Sequence, residues 1–220
     1  MKSTPSPAAA GQRRRPQQSR ARQTEKALRQ AFVQVLVERG WDAVTVREVT
    51  LVAGTALGSF YDYFSSKEDL ARVSLHLRSK QLLVVLRQAT EAGTGQSMAD
   101  IAAAAIDALL QAHRARPRDW AAHYLLERHF SGLAAYRQMY QRFIDAWAAA
   151  LNHASDLKPD FPLQDAARVC QTIVYGLFVH AHLQSADGPD HDRLRREART
   201  AVMGYLRELA RPGPPPDQVP

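Results

Sequence analysis

The sequence predicts an all-α protein built in two parts. Apolar residues recur at helical spacing in most segments between breaks that contain Gly or Pro. No alternation of polar and apolar residues, the pattern typical of a half-buried strand, continues for more than four residues. The connections between the helical segments are short, which favours antiparallel neighbours. We therefore predict a small N-terminal group of helices followed by a larger helical domain.

Both ends of the sequence are predicted to be disordered. Residues 1–22 are rich in Pro, Ser, Ala, Gln and Arg and hold few large apolar side chains, so they predict a disordered basic arm. Residues 211–220, RPGPPPDQVP, hold too many prolines for regular structure. Between the two ends we predict a first domain at 23–68 and a second at 69–210.

The first domain is predicted to contain three short helices. The first begins near Thr24, and Gly40 stands where it would end. Residues 45–48, TVRE, have the form of a capping box, whose Thr hydroxyl and Glu carboxylate can satisfy free backbone donors. Gly54 permits a turn with positive φ after the second helix. One or two further helical turns are then expected within 56–63.

The stretch LVAGTALGSFYDYFSSKEDL, residues 51–70, combines two glycines with four aromatic residues. Phe60 and Phe64 are four residues apart, so we expect them to anchor the third helix to the core. The other faces of that helix carry Leu57, Gly58, Tyr61 and Tyr63. Three helices with a glycine turn before the third have the proportions of a helix-turn-helix unit. In such a unit the third helix lies in the major groove of DNA.

Six longer helices are predicted in the remainder of the chain. Ser65 to Asp69 offer an N-cap for the first of these. The six predicted ranges are 67–90, 97–115, 118–130, 131–154, 164–185 and 191–210.

Charge is distributed unevenly along the chain. The 220 residues carry a net charge of +7. Residues 1–82 hold 14 Lys and Arg against 7 Asp and Glu, whereas residues 83–220 hold 15 of each. The whole excess thus lies in the first third, which favours a polyanionic partner for that part alone. A solvated basic tail would give the same count.

The segment TVREVTLVAGTALGSFYDYFSSKEDL, residues 45–70, closely resembles the TetR (tetracycline-repressor-like) family of transcriptional regulators. It follows that family's order of Thr, an apolar pair, Ala-Gly, two small residues, Gly, Ser, an apolar residue, Tyr, Tyr-Phe and Lys-Glu. The resemblance covers about 26 residues with a compatible first helix before them. It implies a DNA-binding domain joined to a ligand-binding and dimerisation domain.

The resemblance implies specific DNA contacts. Thr45 and Lys67, each at the start of a helix, would contact phosphates. Arg47 would contact a phosphate or a base edge. Tyr61 and Tyr63 would donate their hydroxyls to phosphates. The full set of expected DNA-binding residues is Thr45, Arg47, Thr55, Ala56, Leu57, Gly58, Tyr61, Tyr63 and Lys67.

Two departures from the family pattern concern the third helix. Ala56 stands where a Ser or Thr N-cap is usual, although Thr55 could cap one residue earlier. Leu57 stands where relatives carry a polar or basic side chain, and an apolar group cannot form a bidentate contact with guanine. Direct base reading is therefore expected to be limited, and Arg47 and the arm at 13–22 to contribute more.

The resemblance also implies a homodimer and a small-molecule effector. The dimer would form through helices 164–185 and 191–210, where Gly176 and Gly204 permit close crossings. An ordinary monomer core is the alternative. A hydrophobic or aromatic effector is expected inside the second domain, although the same side chains could simply pack the core. The candidate lining residues are Trp120, His123, Tyr124, Tyr136, Met139, Tyr140, Phe143, Trp147 and Phe178.

Other chemistry finds little support in the sequence. Eight histidines form no His-X-X-X-His pair and there is no cysteine cluster, so we predict no metal site. No glycine-rich phosphate loop, nucleophile elbow or close carboxylate pair is present, so we predict no cofactor and no catalytic residues. Cys170, the one cysteine, is expected to be a buried structural thiol in a reducing cytoplasm. The chain has no run of 18 or more apolar residues, so we predict no membrane-spanning helix. The alternatives to a ligand-released repressor are a constitutive or activating regulator, or a helical small-molecule-binding protein without DNA binding.

Overall fold

The computed structural model describes residues 14–91, 95–130, 132–185 and 188–211. Within these residues the protein is helical and contains no strand, which confirms the all-α prediction. A 3-10 turn, Trp41–Ala43, separates the first two helices. The helices are α1 (Arg14–Arg39), α2 (Val46–Ala53), α3 (Leu57–Tyr61), α4 (Lys67–Glu91), α5 (Met98–Arg114), α6 (Pro117–Phe130), α7 (Leu133–Leu151), α8 (Leu163–Gln184) and α9 (His191–Leu209).

The first helix begins earlier than predicted. We expected disorder up to residue 22, but α1 already begins at Arg14. No Gly or Pro interrupts residues 17–39, and Gln, Arg and Ala are good helix formers. Pro16 lies in the first turn of α1, where a backbone N–H would make no hydrogen bond within the helix, so a proline is tolerated there. Residues 1–13 and 212–220 lie outside the described residues.

The chain divides into two compact units, and the division falls within α4, between Ser74 and Leu75. In the N-terminal unit, α1 and α2 pack together and α3 packs on α2. Fully buried apolar side chains from all three helices form its core, among them Leu28, Phe32, Val49 and Phe60. Gly40 ends α1 with a φ of 78°, as its place in the sequence indicated.

In the C-terminal unit, α8 packs against α6, α7 and α9, and α5 packs against α9. The main core of this unit includes Ile101, Ile106, Trp147, Leu151 and Ala198, all fully buried. Side-chain caps hold two of the helix starts. The Ser97 side chain, at the N-cap of α5, accepts a hydrogen bond from the Asp100 amide. The Asp190 side chain, at the N-cap of α9, accepts from the amides of Asp192 and Arg193.

Candidate nucleic-acid interface and effector site

The Thr45 half of the predicted capping box holds the start of α2, whereas the Glu48 carboxylate bonds Arg39. The Thr45 hydroxyl accepts a hydrogen bond from the Glu48 amide at 3.1 Å. The Glu48 carboxylate forms an ion pair with Arg39 at the end of α1. These contacts tie the first turn of α2 to the preceding helix, so the position of Arg47 within that turn is well defined.

The turn between α2 and α3 depends on Gly54. This residue adopts φ 65° and ψ 34°, the left-handed conformation that glycine tolerates best. Its amide donates to the Leu51 carbonyl at 3.2 Å, and the Thr55 amide donates to the Thr50 carbonyl at 3.0 Å. This pair of bonds is a Schellman motif, which satisfies the last carbonyls of α2.

Helix α3 begins without a side-chain cap. Ala56 occupies the N-cap position in extended conformation, and no side chain accepts from the first amides. Thr55 does not supply the cap one residue earlier, because its hydroxyl oxygen is buried without a hydrogen-bond partner among the described residues. A missing N-cap typically costs about 1 kcal/mol of helix stability. The third helix of the unit is therefore short and intrinsically weak.

Two aromatic side chains hold α3 in place. Phe60 and Phe64 are buried, with their ring centroids 5.6 Å apart, as the spacing predicted. On the opposite side Leu57 is 53% exposed and Tyr61 is 60% exposed. A large apolar residue and an aromatic residue on the surface of so short a helix form a candidate contact surface.

Gly58 is exposed in the middle of α3, and no contact among the described residues requires it to be glycine. A Cβ at this position would meet no atom within 4 Å, and the φ of Gly58 is not positive. Glycine weakens a helix by about 0.5–1 kcal/mol relative to alanine. Neither steric crowding nor backbone conformation among the described residues accounts for glycine at this position.

The structure exposes most of the predicted DNA-binding residues and partly buries the others. The exposed residues are Thr45, Arg47, Ala56, Leu57, Gly58 and Tyr61. The half-buried residues are Thr55, Tyr63 and Lys67. The Lys67 ammonium donates to the Val44 carbonyl at 2.8 Å and lies 4.5 Å from the centroid of the Trp41 ring. The Lys67 ammonium therefore contacts the segment before α2, which the sequence pattern did not predict.

A buried polar and aromatic cluster lies in the C-terminal unit. We call it the α6 cluster and define it by Arg78, His113, Trp120, Tyr124, Phe178 and His182. The His113 ring stacks on Trp120 at 3.9 Å and lies 5.0 Å from Phe178 and 5.1 Å from His182. The Arg78 guanidinium lies 4.0 Å from the centre of the Trp120 ring. Since both groups approach that closely, they occupy opposite faces of the indole.

The predicted lining residues are only partly brought together. Trp120, Tyr124 and Phe178 belong to the α6 cluster, and His123 lies beside Trp120 with centroids 6.4 Å apart. Tyr136 and Tyr140 stack on each other and reach Tyr124 through Tyr175. Phe143 and Trp147 lie in the main core, and Met139 packs against it. The Trp147 indole N–H donates to the Gln171 amide oxygen at 3.1 Å, so this residue has a structural partner.

The histidines of this region are neutral at physiological pH. Burial lowers the pKa of His113 to about 3 and that of His123 to about 4. His113 Nδ1 lies 2.6 Å from the Leu109 carbonyl, so this nitrogen donates, and Nε2 accepts from the Tyr124 hydroxyl at 2.9 Å. Burial also raises the pKa of Tyr124 well above its usual value. The hydrogen bonds that join His113 to Leu109 and Tyr124 are therefore bonds between neutral groups.

Several polar atoms in this region are buried without a hydrogen-bond partner among the described residues. They are Arg78 Nε, Trp120 Nε1, Glu127 Oε1, His182 Nε2 and His191 Nε2. Native proteins leave few such atoms unsatisfied, because each costs about 1–3 kcal/mol. Water or a bound molecule is the natural partner of these groups.

Sequence reasoning missed Arg78, His113, Glu127, Tyr175 and His182. Glu127 could have been predicted from the sequence, because residues 120, 124 and 127 share one face of α6. The others come from α4, α5 and α8, and only the packing of those helices brings them to α6. Among the described residues, no group of three or more His, Cys, Asp or Glu side chains could hold a metal ion.

An open cavity of about 410 Å³ lies elsewhere, between α5 and α9. Its lining includes Asp107, Gln111, Arg114 and Arg195, none of which we predicted to contact an effector. Asp107 accepts two hydrogen bonds from Arg195 and one from Arg199, so this wall is an ion-pair network joining the two helices.

The braced three-helix unit, its glycine turn and the exposed face of α3 define a helix-turn-helix DNA-binding transcriptional regulator. Sequence comparison agrees with this class. Residues 28–73 match the family described as "Bacterial regulatory proteins, tetR family". Residues 97–206 match the description "Tetracyclin repressor-like, C-terminal domain". The chain belongs to the TetR family of transcriptional regulators.

One curated relative matches part of the chain. An uncharacterized HTH-type transcriptional regulator of Bacillus subtilis, YvdT, is 48% identical over 46 residues. That match spans 21% of this chain and 23% of YvdT, so it concerns a domain rather than the whole protein.

No described helix has the length and apolar character needed to cross a membrane.

Solved structures share the fold over most of the chain. The fatty acid degradation regulator FadR from Bacillus halodurans has a TM-score of 0.69 at 16% identity, covering 84% of this chain and 96% of its own. SmeT, the repressor of a Stenotrophomonas maltophilia multidrug efflux pump, has a TM-score of 0.66 at 17% identity, covering 90% and 100%. At such identities the likeness shows the fold alone.

Proposed function

We propose that this protein is a homodimeric repressor that leaves its operator when a small hydrophobic or aromatic effector binds to the C-terminal unit. The observation that carries the DNA-binding part is the exposed face of α3, with Leu57 and Tyr61 outward and Gly58 not required by the fold. A glycine there lets the helix backbone approach the floor or wall of the major groove. Arg47, exposed in the first turn of α2, supplies the nearby cation.

The basic residues before α2 extend the proposed interface. Arg20 and Arg22 are exposed on the first turns of α1. A basic segment of this kind neutralises phosphates and releases counterions, so it adds affinity that weakens with salt. Deleting residues 1–22 should lower operator affinity and flatten its salt dependence. An unchanged salt slope would exclude a role for this segment.

Half-buried apolar side chains on α8 support the proposed dimer. Val169, Ile173 and Leu177 recur every four residues and are each only partly covered by the chain itself. A Cβ at Gly176 or Gly204 would have no atom within 4 Å, so a single chain leaves space beside both. A second copy of the chain whose helices cross α8 and α9 closely would cover the half-buried apolar side chains and fill the space beside the two glycines. Two recognition helices would then meet successive major grooves, about 34–36 Å apart.

The test is binding of the purified protein to the DNA upstream of its own gene, against a scrambled duplex at two salt concentrations. Wild type should prefer the native duplex, and Arg47→Ala and Tyr61→Phe should weaken that preference. Arg87→Ala is the matched control, because Arg87 is an exposed cation on α4 outside the proposed interface. Equal, salt-sensitive binding to both duplexes, unaffected by the two substitutions, would contradict the assignment of these residues.

A further inference from the structure

The α6 cluster holds buried hydrogen-bonding atoms of two kinds. Arg78 Nε and Trp120 Nε1 are donors without a partner among the described residues. His182 Nδ1 lies 2.8 Å from the Phe178 carbonyl and donates to it, which leaves Nε2 of the neutral ring as an acceptor. That Nε2 atom is also buried and unpartnered among the residues that the structure describes. The cluster therefore contains two unpartnered donors and one unpartnered acceptor.

The Arg78 side chain carries an incompletely matched positive charge. Its nearest carboxylate is that of Asp119, with Nη2 and Oδ2 3.6 Å apart, longer than a hydrogen bond. Arg116 approaches the same carboxylate oxygen at 3.8 Å. Two guanidinium groups thus share one carboxylate. His113 and His123 add no charge, because burial keeps them neutral.

The walls around these atoms are aromatic. Trp120, His113, Phe178 and Tyr124 surround the region, and Trp120 is only 3% exposed. Because His113 and Arg78 cover the two faces of Trp120, the indole presents its Nε1 edge, and the Arg78 guanidinium favours a planar anionic group. Glu127 lies seven residues beyond Trp120, about 10 Å along the axis of α6.

We infer that the effector is a planar aromatic carboxylic acid with a ring hydroxyl, bound through Arg78, Trp120 and His182. The carboxylate accepts from Arg78 Nε–H and Trp120 Nε1–H, and the hydroxyl donates to His182 Nε2. This inference rests on the proposed effector control and specifies its chemistry. The ligand carboxylate would add a second anion beside Asp119 at Arg78, a residue of α4, which is the helix that has residues in both units.

Calorimetry of the full-length protein without DNA tests the inference with three probes: benzoate, 4-hydroxybenzoate and 4-hydroxybenzamide. We expect 4-hydroxybenzoate to bind at least tenfold more tightly than the uncharged amide, and benzoate to bind more weakly than its hydroxylated form. Arg78→Gln should remove the preference for the acid, and Arg78→Lys should restore part of it. Arg87→Gln, the same charge change at an exposed position on α4, should leave all three affinities unchanged.

Equal affinity for acid and amide, or an unchanged acid affinity in Arg78→Gln, overturns the inference. So does the absence of binding by all three probes at millimolar concentration, which would leave water as the partner of the buried atoms. Operator binding is measured separately. If the acid binds as expected but operator affinity does not fall, the ligand assignment stands and the proposed ligand control fails.

Discussion

The ammonium of Lys67, at the start of α4, donates a hydrogen bond to the carbonyl of Val44, which precedes α2, at 2.8 Å. The two residues are 23 positions apart, and the same ammonium lies over the Trp41 ring. One side chain thus links the 3-10 turn, the start of α2 and the start of α4. The family's Lys-Glu pair has a structural function here in addition to its expected place near DNA.

Replacing Lys67 with Met should therefore destabilise the N-terminal unit. The loss of the charge-assisted hydrogen bond and of the cation–π contact should lower the free energy of unfolding by about 1–2 kcal/mol. Urea unfolding followed by circular dichroism measures it. Lys80→Met makes the same change at an exposed position on α4 and should shift the midpoint little. Equal midpoints for the two variants would mean that the Val44 contact contributes nothing.

Replacing Ala56 with Ser should stabilise α3. Ala56 already has the extended backbone of an N-cap, and only the accepting side chain is missing. A serine hydroxyl that accepts from the amides of α3 should add about 0.5–1 kcal/mol of stability. Hydrogen exchange of the amides of α3 would show slower opening. Ala56→Val, which adds bulk without an acceptor, is the control, and equal protection in both variants would speak against capping.

The two glycines near α3 should respond oppositely to alanine. Gly54→Ala forces a side chain into the left-handed region and should cost about 1 kcal/mol. Gly58→Ala meets empty space in a helix and should gain up to about 1 kcal/mol. Thermal unfolding distinguishes them. If α3 enters the groove as proposed, Gly58→Ala should nonetheless weaken operator binding, and retained affinity would remove the reason for glycine there.

Asp107 should make the stability of the C-terminal unit depend on acid pH. Burial alone would raise its pKa, but hydrogen bonds and charge from Arg195 and Arg199 lower it below the usual value. Such a carboxyl contributes stability fully above the unfolded pKa of about 3.9, and this contribution is lost as pH falls through the folded value. Because the network is partly exposed, Asp107→Asn should cost only about 1 kcal/mol at pH 7.

The Asp107→Asn variant should also lose less stability than wild type as the pH is lowered from 5 to 2. Denaturant midpoints at several pH values measure both effects. Asp165→Asn removes the highly exposed ion pair with Arg168 and is the matched control, with little change expected. Parallel pH curves for wild type and Asp107→Asn would contradict the assigned pKa shift.

Local chemistry made much of the fold predictable. The caps at Thr45 and Ser97 and the turn at Gly54 depend on residues within a few positions, so their signals are present in short segments. The early start of α1 was missed because composition indicated disorder, although nothing in residues 17–39 breaks a helix. The cap that Thr55 could have supplied was also not formed.

The candidate effector site was less predictable than the DNA-binding unit. An aromatic residue on an amphipathic helix looks the same whether it fills a core, as Trp147 does, or borders unpartnered polar atoms, as Trp120 does. The difference is set by residues of other helices, above all Arg78 and His113. Helix periodicity carries no information about which distant side chain meets a given face.

The buried Cys170 has a practical consequence. It is the one cysteine of the chain, and burial raises its pKa to about 12, so almost none is thiolate at neutral pH. The native protein is therefore ready for single-site labelling: a cysteine introduced at exposed Arg87 should react with a maleimide dye while Cys170 stays silent. Spin labels or fluorophores placed in this way would show whether α4 moves when a ligand binds, without first removing a native thiol.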